Sequence, residues 1–230
     1  MDSAYAHELG RTLAAIHSLS ADVIERAGMP VYSADICRQR LLAELSDADA
    51  QAEIPAVLCH RWRDMLENQR LWNFTPCVVH GDFADENVLW SEHTVSCVVG
   101  FGEAHVGDPA ADFSLLITDL SDENFAAVLE SYQNAIGADV SEDFIERVTL
   151  LSEFSLLRWL MHGIRHGNTE VIDQAEDMLR TLAFDIELDP ELVPGPGWEV
   201  DLENSAFSAE PAAEINFRES AKDISSEEQV

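Results

Sequence analysis

Two segments constrain this chain more than any others: VVHGDFADENVLW, Val78 to Trp90, and VVGFGEAHVGDPAADF, Val98 to Phe113. Each opens on valines, whose β-branched side chains favour a strand, and passes at once into a loop of Gly, Asp, His and Asn. Short strands that end in polar loops deliver functional groups from a rigid support to one place. The candidate site is therefore His80, Asp82 and Asn87 from the first segment, answered across a turn by the second, which carries Gly100, Asp108 and Asp112.

The remainder of the chain reads mainly as helix. Leu9, Leu13 and Ile16 recur at helical spacing, which predicts a helix over 5–19. A second begins at Ser33, an N-cap residue, and runs through Leu45. A third starts near Ile54, with Pro55 in its first turn, and its Arg61, Arg63 and Arg70 are expected to face solvent. Strands are predicted at Cys77–Val79, Asn87–Trp90 and Thr94–Val99, with Ser91 to His93 as the turn between the last two. Helical periodicity returns over 110–118, after a capped start at Ser121, from Ser141 to His166, and from Thr169 to Ile186. LDPELVPGPGW then ends regular structure, so the expected organisation is a helical lobe over 1–190 and an acidic, disordered tail over 191–230.

Charge narrows the partners. There are 44 acidic residues against 13 basic ones, an excess that excludes nucleic acid and disfavours anionic membrane surfaces. The N-terminus offers neither a basic n-region nor an uninterrupted apolar stretch, so no signal peptide or membrane span is expected and the cytoplasm is the default location. Cys37, Cys59, Cys77 and Cys97 form no CxxC pair and read as reduced core thiols. His17 reads as a hydrogen-bonded core histidine, and His162 with His166 as a helix pair without the glutamate of HExxH. Trp62, Trp72, Trp90 and Trp159 read as core, with an aromatic cage for a cation as the alternative.

His80-Gly81-Asp82 with Asn87 in register, followed by Phe101, Gly102, Gly107-Asp108-Pro109 and Asp112, resembles the aminoglycoside and macrolide phosphotransferase family, the small-molecule branch of the kinase-like fold. LGRTLAAIHSL looks like the family's entry into its helical lobe, so the resemblance covers roughly Tyr5 to Ile186. It implies an α+β, mainly α fold: a protein-kinase-like C-terminal lobe with a few short strands. It also implies Asp82 as the base for a substrate hydroxyl, His80 as the residue that shapes the loop, and Asn87 as a ligand of Mg²⁺ in an ATP-dependent reaction. Asp108 and Asp112 would be structural acids near the site, tying the loop to the helix that follows. The substrate would be a small, cationic molecule such as an aminoglycoside, macrolide or amino sugar, with acidic residues of the lobe meeting its amines.

The chain departs from the family pattern twice. Gly100 stands where the family carries a metal-binding Asp, with Glu103 and Asp85 the nearest substitutes in sequence, and the chain starts after the point where a β-rich nucleotide lobe with its strand lysine would end; the only lysine is Lys222. The expectation is a truncated and impaired phosphotransferase, by itself inactive or very weak and a poor binder of Mg²⁺ and ATP, that needs a separate N-terminal lobe or self-associates through an uncovered apolar face. The alternative is a non-catalytic, pseudokinase-like protein that binds a small molecule or a partner. A third reading groups His80, Asp82, His105 and Asp108 as the centre of a metal-dependent hydrolase.

Overall fold

The computed structural model describes residues 3–189; the expected tail over 191–230 and Lys222 lie outside them. Helix α1 (Ser3–His17) presents Leu9, Leu13 and Ile16 to the core as its spacing demands. It crosses α6 (Asp122–Ile136) so closely at Gly10 that a Cβ there would overlap the Val128 carbonyl. Between these helices in sequence come α2 (Asp22–Arg26), α3 (Ala34–Asp49) and α4 (Ala56–Glu67). Ser33 caps α3 by accepting the Ile36 N–H at 3.3 Å, and Pro55 precedes the first turn of α4. Short α5 (Leu116–Asp119), long α7 (Glu142–His166, capped by Ser141) and α8 (Thr169–Leu188, capped by Asn168) complete the helical set.

Two small antiparallel pairs carry the loops. Strand β1 (Cys77–Val79) pairs with β4 (His105–Gly107) in the register Val78 to Val106, and β2 (Val88–Ser91) pairs with β3 (Thr94–Val98) as a hairpin. The segment before α3 joins the first pair: Tyr32 N–H donates to Val106 O at 2.8 Å and Val106 N–H to Pro30 O at 3.0 Å. Helix α7 is buried along most of its length and packs against α8 and the turn Pro109–Phe113. Trp62, Phe154, Leu157 and Leu160 are fully buried between α4, α7 and their neighbours, each contributing about 1.5–3 kcal/mol by leaving water.

Several local expectations are corrected. The stretch 110–118 is not one helix: Pro109–Phe113 forms a 3-10 turn and α5 follows as a single turn, because Asp112 turns its carboxylate back to the loop at residues 80–81. Strand β4 and α2 were not predicted, being too short for periodicity to reveal. Arg61 does not face solvent but binds Glu153, which is buried and also accepts Trp62 Nε1–H at 2.7 Å. Cys97 is exposed, and Trp90 is only half-buried, on the hairpin edge-to-face with Tyr5 at 4.8 Å. Among the described residues no helix is long and apolar enough to cross a membrane.

Candidate functional site

The loop after β1 is held from below by one carboxylate. Asp112 Oδ2 accepts the His80 N–H at 2.8 Å and Asp112 Oδ1 accepts the Gly81 N–H at 2.8 Å. A third bond comes from α1, where His17 Nε2 lies 3.0 Å from Asp112 Oδ2. His17 therefore donates from Nε2, and its Nδ1 accepts the Tyr132 hydroxyl at 2.9 Å. That hydroxyl keeps its proton, since burial pushes the Tyr132 pKa up. Asp112 comes from the 3-10 turn, His17 from α1 and Tyr132 from α6, so these three elements fix the position of the loop.

The His80 ring is fully buried and clamps two backbone points. Its Nδ1 accepts the Asp82 N–H at 3.2 Å, which leaves Nε2–H to donate to Val99 O at 2.8 Å. One ring thus joins the residue before Gly100 to the residue expected to act as base. The ring packs against Phe101 at 4.5 Å and Phe83 at 5.9 Å. Gly81 is required beneath it: its φ is +84° and a Cβ would overlap Glu103 O.

Asp82 and Asn87 are brought together by the 3-10 turn Asp85–Asn87. Asn87 Nδ2 donates to Asp82 O at 2.8 Å and to Asp82 Oδ2 at 3.1 Å, which orients the Asp82 carboxylate from one side. Val99 N–H donates to Asn87 O at 2.9 Å and so draws Gly100 alongside. Gly100 has φ +82°, and a Cβ on it would overlap Asn87 Oδ1 and lie 2.8 Å from Asn87 Cγ. Asn87 Oδ1 therefore occupies the space into which a side chain at position 100 would grow. For Mg²⁺ the donor set here is one neutral amide oxygen and no carboxylate at position 100. That falls short of the one or two carboxylates with which the ion is ordinarily held.

Asp108 stands away from this cluster. Its Oδ1 accepts Ala110 N–H at 3.0 Å and its Oδ2 accepts Arg147 Nε–H at 2.7 Å, while Arg147 also donates to Leu71 O and Asp143 O. Burial pushes the Asp108 pKa up against the pull of Arg147. His105 bonds Glu103 O through Nδ1 at 2.8 Å and lies across Gly107. Since both His80 nitrogens are committed to backbone and Asp108 to Arg147, the four residues of the hydrolase reading do not converge. Among the described residues no group of three or more His, Cys, Asp or Glu is placed to hold a metal ion.

Three further features surround the loop, of which only the exposed apolar edge was expected from sequence. A cavity of about 280 Å³ opens beside the loop, walled by Leu9, Phe83, Val88 and Leu116 with Asp85 and Asp119 at its edge. The Asp119 pKa is pushed up, first by partial burial and then by the Asp85 and Glu86 carboxylates, against the Thr118 hydroxyl. Leu89, Val99 and Phe101 are 48%, 38% and 41% exposed beside Asn87 and Gly100, a large apolar exposure for one edge. Finally, the Tyr32 ring meets His105 and Arg40 lies over the Tyr32 ring. The sequence signal for the apolar exposure was the nucleotide lobe read as missing, which leaves a face uncovered; the cavity and the Tyr32–Arg40 contact had none.

A family model described as the phosphotransferase enzyme family (APH) matches residues 2–150. Viomycin phosphotransferase of Streptomyces vinaceus is 30% identical over 112 residues, 47% of this chain and 37% of that protein. Among solved structures, a macrolide 2'-phosphotransferase type I aligns with a TM-score of 0.69 at 25% identity, over 76% of this chain and 58% of that one. The GDP and kanamycin complex of APH(2")-IIia aligns with a TM-score of 0.66 at 22% identity, over 79% and 63%. The chain spans less than two thirds of the length of each of these proteins, and the structural likeness lies in the mainly helical, kinase-like C-terminal lobe.

Proposed function

Because this chain belongs to the phosphotransferase enzyme family, we propose that its site serves phosphoryl transfer from a nucleoside triphosphate such as ATP to a hydroxyl of a small molecule. Asp82 is the base in this reading. Its carboxylate accepts the hydroxyl proton as the hydroxyl oxygen bonds to phosphorus and the bond from phosphorus to the leaving diphosphate oxygen breaks. The observation that carries the reading is the prior fixation of the loop: Asp112 holds the N–H groups of His80 and Gly81, and Asn87 holds Asp82. Phosphoryl transfer draws most of its acceleration from such positioning. His80 and Asp112 act as positioning residues, and Asp108 as a buried anchor.

The acceptor class is a ring-bearing molecule with amines, aminoglycoside-, macrolide- or amino-sugar-like. The cavity beside the loop has apolar walls for a ring and Asp85 with Asp119 for a cation, in a chain whose net charge of -31 attracts cations. The exposed face of Leu89, Val99 and Phe101 is where the nucleotide, or a lobe that carries it, packs. With Gly100 in place, Asn87 alone holds a metal ion weakly, and turnover is low.

Calorimetric titration with Mg·ATP, followed by a phosphotransfer assay with kanamycin, viomycin and macrolides, tests this. The expected result is measurable turnover that Asp82→Asn lowers by about 10²–10⁴-fold without changing the melting temperature. A specific observation favours a second reading, a pseudokinase-like binding protein: Asn87 Oδ1 fills the place of the missing side chain at position 100. That reading requires acceptor binding with neither Mg·ATP binding nor turnover.

A further inference from the structure

The wall formed by Tyr32, Arg40 and His105 beside the catalytic loop has no part in the reading above. Tyr32 is fastened by its backbone to β4, its ring meets His105 edge-on at 5.4 Å, and Arg40 Cζ lies 4.4 Å over its face. His105 in turn bonds Glu103 O, the carbonyl against which Gly81 packs. The wall therefore adjoins the residue that precedes Asp82.

Arg40 is unusual for this chain. The surface arginines Arg11, Arg38, Arg63, Arg70 and Arg180 each meet a carboxylate. Arg26 and Arg165 also meet no carboxylate but donate to the Asp22 and Met161 carbonyls, whereas Arg40 has neither an ion pair nor a hydrogen bond among the described residues, and the Tyr32 hydroxyl finds none there either. The reason is local. One turn ahead on α3 the only acid within reach is Glu44, and both of its oxygens are taken by Arg158, at 2.7 and 3.1 Å. Helical side chains lean toward the N-terminus, which carries Arg40 back onto Tyr32. Arg40 is exposed, and with no acceptor taken up its N–H groups are available to an anion, the fork with which arginine binds a carboxylate or phosphate.

We propose that Arg40, with the Tyr32 hydroxyl, is a specificity-determining site for an acidic group, carboxylate or phosphate, on the acceptor molecule. The inference rests on the acceptor-binding reading above and sharpens it. A chain of this net charge repels free anions at long range, and an amine on the same molecule offsets that repulsion. The acceptor is then amphoteric, its cation drawn by the general field and its acid held by Arg40. Charge-assisted bonds to a guanidinium discriminate against the uncharged analogue because the uncharged analogue leaves the fork unfilled.

The test is calorimetry on the full chain with matched probes: galactosamine against galactosaminuronic acid for the carboxylate arm, and glucosamine against glucosamine 6-phosphate for the phosphate arm. The acidic member of at least one pair is expected to bind about tenfold more tightly or better. In Arg40→Gln that preference falls to about twofold or less, Arg40→Lys keeps part of it as a bare point charge, and Arg63→Gln on the far surface keeps all of it. Circular dichroism melts verify that each variant is folded, and Tyr32→Phe, which keeps the stacking surface, gives a second reading of the hydroxyl. Equal binding of both members of both pairs, absence of binding by all four probes, or a preference untouched in Arg40→Gln overturns the proposal. None of these probes needs nucleotide, so failure of Mg·ATP titration and turnover would remove the phosphotransferase reading and leave the acid preference to stand or fall by itself.

Discussion

At the scale of single residues the site is decided at Gly100. Its left-handed backbone and the Asn87 amide packed against it form one unit, so the residue is more than a lost ligand. Replacing it by Asp puts a side chain into the left-handed region at a cost of about 1–2 kcal/mol and forces Asn87 to turn away from its place. Once turned, the new carboxylate and Asn87 Oδ1 form a two-ligand site for Mg²⁺. Gly100→Asp should therefore melt below the wild-type chain in chelator and regain stability in millimolar Mg²⁺, by roughly 2.7 kcal/mol at a hundred times the dissociation constant, while the wild-type melt hardly responds. A Gly100→Asp chain that melts like wild type and ignores Mg²⁺ would show that the two positions do not share one site. The spacing of Asp82 and Asn87 was legible because both lie on one short loop. The bond from His17 to Asp112 was not, since its partners lie 95 residues apart and nothing in a helix histidine names its acceptor. Arg40 was hidden for a different reason: it is defined by the pairing of Glu44 with Arg158, a competition that only the packed structure reveals.

At the scale of elements α7 is the support on which the turn Pro109–Phe113 is set, and two buried charges fasten it. Arg147 reaches Asp108 and so ties α7 to the turn after β4, while Glu153 takes Arg61 and Trp62 and ties α7 to α4. Removing the guanidinium in Arg147→Met leaves the Asp108 carboxylate buried with only the Ala110 N–H, at an expected cost of about 3–5 kcal/mol in urea denaturation. Adding Asp108→Asn should recover part of that loss, because the uncompensated charge is the larger fault. If the double variant is no more stable than Arg147→Met, the cost lies in packing against Phe74 instead. The helices themselves were readable, with the caps at Ser33, Ser121 and Ser141 where the sequence put them, because caps and periodicity are local. Strand β4 was not, because three residues gain strand form only from β1 and from Tyr32 on either side. The stretch 110–118 misled for a related reason: its apolar spacing is helical, but the tertiary demand of residues 80–81 on Asp112 breaks the helix in two.

At the scale of the whole molecule charge and burial act in the same direction on stability. The net charge of -31 makes compact states self-repelling, and this repulsion eases as carboxylates take up protons. Asp108 and Glu153 add to it from inside, since burial pushes both pKa values up in spite of their arginines. A carboxyl whose pKa is higher in the folded chain than in the unfolded one holds its proton more firmly when folded. Its stabilising contribution is complete below the ordinary carboxylate range and is lost as the pH rises through the folded value. Both effects place the more stable condition on the acid side of neutrality. In low salt the chain should melt at a higher temperature near pH 5, at the upper end of the ordinary carboxylate range, than near pH 8. Added salt should raise the melting temperature at the higher pH by screening the surface repulsion, whose range is about 10 Å at 0.1 M ionic strength. It should leave untouched the part that belongs to the buried groups. Glu153→Gln, which keeps an acceptor for Trp62 but no titrating proton, should flatten that residual slope. A melting temperature that instead climbs from pH 5 to pH 8 would mean that Arg147 and Arg61 outweigh the burial of Asp108 and Glu153.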